Sequence, residues 1–71
     1  MGNMTERIRV LLVKSGNISE AELARRMGIS PQNLHGKFKR DNFTDDDLHK
    51  IAEVTGCTYK SAFILSTGEE I

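Results

Sequence analysis

In the run Ser30–Arg40, SPQNLHGKFKR, two side-chain amides (Gln32, Asn33), an imidazole (His35) and three cations (Lys37, Lys39, Arg40) occur without a single acid. An amide offers a donor and an acceptor side by side, which suits a base edge, and a cation suits a phosphate oxygen. Solvated helix faces usually mix both charge signs, and from Arg25 to Arg40 there are five cations and no Asp or Glu. Other chemistry is poorly supplied. There is no nucleophile and base at plausible spacing, no Gly-rich phosphate loop and no metal-ligand cluster, so neither enzymatic activity nor a cofactor is expected. His35 and His49 stand fourteen residues apart with no Cys or His at ligand spacing. Asp45, Asp46 and Asp47 would point in three directions about 100° apart on a helix, which suits capping better than an ion. Cys57 has no partner for a disulfide and follows Gly56 where a small apolar side chain packs.

The elements that must position this chemistry are marked in the sequence. Ser19 is a good N-cap, and Glu22 three residues later completes the pattern of a capping box. Leu23 and Met27 share one side of the helix that follows, and Ala24 lets another helix approach. Gly28 stops it in the left-handed conformation of a C′ position, and Ile29 plugs the turn. Ser30 caps a second helix with Pro31 at its first position, and Leu34 and Phe38 turn toward a core. Two short helices about a tight glycine turn are the layout of a helix-turn-helix.

Around this pair, a first helix is predicted from near Asn3 or Thr5 to Lys14, with Ile8, Leu11 and Leu12 as its stripe and Val10 and Val13 at the margins. Ser15-Gly16-Asn17 ends it. A fourth helix starts at Thr44, buries Leu48, Ile51, Ala52 and Val54, and closes at Gly56, while Phe43 pins the connector before it. After Gly56, Tyr59, Ser61, Phe63 and Leu65 alternate with Lys60, Ala62 and Ile64, which favours a strand over a last short helix. A lone strand needs a partner. Either the residues after Gly68 fold back on it, or the same strand of a second subunit pairs, with Tyr59, Phe63, Ile64 and Leu65 as dimer contacts.

The 71 residues allow one domain, 1–71, with a helical core over 1–57 and a strand or tail over 58–71. The formal net charge is zero, yet residues 1–40 carry eight Lys or Arg against three Glu, and residues 41–71 carry two Lys against seven acids. One half is basic and the other acidic. Without a secretory or membrane-spanning run, a cytoplasmic protein with no membrane partner and no small-molecule substrate is expected.

The segment LARRMGISPQNL, followed by DLHKIAEVTG, resembles the phage repressor and Cro type of helix-turn-helix domain, the Xre family, over roughly residues 5–57. Ala24, Gly28, Ile29, Leu34 and the Leu48, Ile51, Ala52, Glu53, Gly56 pattern carry the resemblance. It implies an all-α, four-to-five-helix, lambda-repressor-like fold, here with a short C-terminal β-strand where many members have a fifth helix. It also implies a sequence-specific regulator of double-stranded DNA, a repressor that acts as a homodimer, with the helix Ser30–Arg40 in the major groove. Gln32, Asn33 and Gly36 would then face bases, although Asn33 could instead bond locally to its cap. Glu20 and Ser30, at helix starts, would bring backbone N–H groups to phosphates, joined by Arg25, Arg26, His35, Lys37, Lys39 and Arg40. Lys37 stands where members commonly carry an apolar residue, the bulky group being moved to Phe38, which implies a rotated or extended reading helix. A protein-interaction module on the same scaffold is the alternative, favoured by the acidic half.

Overall fold

Asn3, Ser19, Ser30 and Thr44 each stand one residue before a helix in extended backbone, and each side chain accepts the N–H three residues on, at 2.8–3.1 Å. These caps satisfy donors that a helix start leaves orphaned. The structure, a computed structural model, describes residues 3–60 and 62–71. Four helices follow the caps: α1 Met4–Lys14, α2 Glu20–Met27, α3 Pro31–Arg40 and α4 Asp45–Thr55. The full capping box is at Thr44 and Asp47, whose carboxylate returns to the Thr44 N–H at 3.0 Å. The box expected at Ser19 is half formed, because Glu22 turns to two arginines instead.

The helix ends are closed from the backbone. Gly28, at φ 75°, lets its own N–H reach Arg25 and the Ile29 N–H reach Ala24, which reverses the chain in three residues before Pro31. Ile8, Leu11, Leu12, Leu23, Ala24, Leu34, Phe38, Leu48, Ile51, Ala52 and Phe63 form one buried core. Phe43 packs edge-on against Phe38, with ring centroids 5.5 Å apart, and so pins the α3–α4 connector.

The C-terminal segment corrects the single strand. β1 (Thr58–Tyr59) and β2 (Phe63–Ile64) pair antiparallel, with Tyr59 opposite Phe63, across a turn in which the Lys60 N–H donates to the Ala62 carbonyl at 3.0 Å. Ser61, expected on that strand, lies outside the described residues. The last residues then fold back: Phe63 and Ile71 exchange both backbone bonds, at 3.0 and 2.8 Å, and the Leu65 N–H donates to Glu69. The unpaired edge that called for a second subunit is closed within the chain. Phe63, expected as a dimer contact, is fully buried, because the turn swings it onto the helices. Tyr59 is half-buried between His49 and Phe63. Ile64 and Leu65 are half-buried as well.

Candidate nucleic-acid interface

Leu34 and Phe38 anchor α3 in the core, so residues half a turn away must face solvent. Gly36 lies there, with Gln32 and Arg40 one turn to either side, and Asn33 and Lys39 at the flanks. Gln32, Asn33, Lys39 and Arg40 are exposed. No hydrogen bond within the described residues engages the Gln32 or Asn33 amide. The backbone N–H of Asn33 is served by Ser30 Oγ at 3.1 Å, so its side chain is not needed as a local cap.

Most cations near this face are already committed. The Lys37 ammonium sits 2.9 Å from Asp47 Oδ2, a pair only about a fifth exposed. Partial burial pushes the Asp47 carboxyl up, but the Thr44 backbone N–H and the Lys37 ammonium outweigh it and hold the pKa below its ordinary value. Lys37, expected at a phosphate, thus clamps α3 to the start of α4. Arg25 and Arg26 both bond to Glu22, and Arg26 also donates to the Val54 carbonyl at 3.0 Å, at the end of α4. Hydrogen bonds from Arg25 and then Arg26 lower the Glu22 pKa to about 2. Both guanidiniums, also expected at phosphates, share this one carboxylate, so the trio keeps a single net positive charge. Lys39 and Arg40 have no acidic partner among the described residues.

Glu20 and His35 form an edge of the site. Arg9 of α1 donates to Glu20 Oε2 at 2.7 Å while its guanidinium lies 4.9 Å from the centre of the Phe38 ring. His35 Nδ1 is 3.6 Å from Glu20 Oε1, too far for a hydrogen bond and close enough for attraction when the imidazole is protonated. Arg9, Thr5, Asp41 and Asp47 hold α3 in place and were not singled out as site residues from sequence. The Thr44-x-x-Asp47 spacing was the available signal for Asp47.

The sequence pattern of the Cro/C1-type HTH DNA-binding domain matches residues 7–65, which span most of α1, all of α2 to α4 and both strands. The chain belongs to this family. As a Cro/C1-type HTH domain it is a DNA-binding regulator, and the family's reach to residue 65 includes the C-terminal hairpin that the resemblance to residue 57 left out. No curated protein and no solved structure matches the chain. No described helix of this Cro/C1-type domain is long and apolar enough to cross a membrane.

Proposed function

We propose that this domain is a sequence-specific repressor that lays α3 in the major groove of double-stranded DNA. Gln32 and Asn33 read base edges from the first turn, an amide being able to make a paired bond with adenine. Lys39, His35 and the N–H groups at Ser30 and Glu20 hold the flanking phosphates. One observation carries the proposal: among the described residues the exposed face of α3 keeps its amides and its last two cations unpartnered, whereas Lys37 is paired with Asp47 and Arg25 and Arg26 share Glu22. Repression, and pairing of two copies on half-sites about 34–36 Å apart, are supported by the likeness to the phage repressor and Cro type.

Fluorescence anisotropy on the DNA flanking its own gene and on a scrambled duplex of equal length, each at two salt concentrations, tests this. A clear preference for the native fragment that Gln32→Ala abolishes, without a loss of fold, is the expected result. Equal, salt-labile binding to both duplexes would leave only a generic basic face and favour a protein partner.

A further inference from the structure

Gly36 faces away from the core, yet it is only half exposed. What covers it is Arg40. If a Cβ stood at Gly36, Arg40 Nη1 would be 3.0 Å from it, Nη2 3.5 Å and Cζ 3.6 Å. The guanidinium therefore lies back along the helix over the spot where a side chain is missing. Helical side chains lean toward the turn before their own Cα, and residues i and i+4 share a face, so Arg40 covers residue 36 by ordinary helix geometry. The absent Cβ lets it lie flat there.

Its chemical situation differs from that of the neighbouring arginines. Arg9 is paired with Glu20, and Arg25 and Arg26 with Glu22, while Arg7 donates to the Ile71 carbonyl. Arg40 has no hydrogen bond or ion pair among the described residues, so its fork of donors is open at the middle of the exposed face, one turn from Gln32. A planar guanidinium matches the O6 and N7 acceptors of guanine; the same fork can grip a phosphate, and it is the place over Gly36, at the middle of the exposed face rather than its rim, that favours the base.

We infer that Arg40 is a base-reading residue positioned by Gly36, so that the operator carries a guanine beside the base pairs met by Gln32 and Asn33; this rests on the major-groove docking proposed above. Gly36 then contributes by being empty, and Arg40 moves from the phosphate contacts to the specificity contacts.

Selection from random duplex with the full chain, followed by affinities for the selected site and its single-base variants, tests the inference. Arg40→Lys, Arg40→Ala and Gly36→Ala are compared with the unaltered chain, with circular dichroism confirming the fold of each. The unaltered chain should select a guanine whose replacement by adenine weakens binding about 5- to 150-fold. Arg40→Lys keeps the charge and should lose that discrimination while keeping the salt slope; Gly36→Ala should lose part of it at the same position. If Arg40→Lys keeps the full motif, and Arg40→Ala weakens binding evenly for all sequences with a salt slope shallower by about one, Arg40 is a phosphate contact and the inference falls while the docking stands. If the unaltered chain enriches no sequence at all, the docking itself fails, and the inference with it.

Discussion

The Asp41 carboxylate at the end of α3 accepts the backbone N–H of Thr5 at 2.7 Å, thirty-six residues away at the start of α1. The Thr5 hydroxyl lies 2.9 Å from the same oxygen and 2.8 Å from the Phe38 carbonyl, and shares its one hydrogen between them. An orphan donor of one helix and an orphan acceptor of another are thus satisfied by exchange between the two ends. The C-terminus of α3 is thereby tied to α1.

Asp41 also occupies a left-handed backbone, at φ 54°, so substitutions there separate two effects. Asp41→Ala loses the bonds to Thr5 and strains the backbone, together about 2–3 kcal/mol. Asp41→Gly keeps only the first loss, about 1 kcal/mol. Asp41→Asn tolerates the conformation and retains an acceptor oxygen, so it should cost least. Urea melts should rank the three in that order; equal losses for Ala and Gly would mean the left-handed conformation contributes nothing.

The Lys37–Asp47 clamp predicts a pH signature. A carboxyl whose folded pKa is depressed contributes stability that is complete above its unfolded value and is lost as pH falls through its folded one. Lys37→Met removes the cation and keeps the packing. Its deficit of ~1 kcal/mol against the unaltered chain should therefore be full above about pH 5 and shrink in acid. Because Lys37 is taken up by Asp47, the salt slope of DNA binding should hardly change in Lys37→Met, while Lys39→Ala makes it shallower by about one. A shallower slope in Lys37→Met would place its ammonium on phosphate.

Glu22 is fixed by two guanidiniums, and its carboxyl should titrate near 2 by NMR. Its pairs with Arg25 and Arg26 hold above the ordinary Glu range and loosen only as pH falls through about 2. Replacing both arginines by glutamine should return the midpoint to roughly 4.3. A midpoint near 4 in the unaltered chain would show that the pairs do not persist in solution.

Gly36→Ala should raise stability by about 0.5–1 kcal/mol, since it replaces glycine inside a helix and only the mobile end of Arg40 stands in the way. In a domain of this size that is a rise in Tm of a few degrees, ~2–8 °C. A fall in Tm would mean that the backbone, rather than Arg40, has to yield.

Phe63→Ala removes a fully buried ring from a small core and should cost about 3–5 kcal/mol. Deleting residues 58–71, a change that the single-strand expectation would use to make a monomer, takes Phe63 away and should unfold the helices instead. Thermal denaturation read at the α-helical signal distinguishes the outcomes: a cooperative, unshifted melt of the truncated chain would show that the hairpin is dispensable.

The helices and their order are legible in the sequence because their signals are local. Asn3, Ser19, Ser30, Thr44, Gly28 and Gly56 act within one turn of themselves, and the Leu34–Phe38 and Leu48–Ile51–Ala52 spacings mark each buried face without reference to any other element. The acid-free composition of Ser30–Arg40 is equally local. Which of the cations in and beside this run stay open was decided by tertiary structure, since Lys37 meets Asp47 across ten residues and Arg26 of α2 meets Val54 across twenty-eight. The same holds for the C-terminus. Alternation from Tyr59 to Leu65 describes backbone that favours pairing, but only the fold shows that Phe63 and Ile64 pair with Thr58–Tyr59 on one side and Glu69–Ile71 on the other, because burial of Phe63 in the common core rewards the turn that brings it there. Local propensity determined the elements; long-range packing and charge pairing determined which side chains remain free to meet DNA.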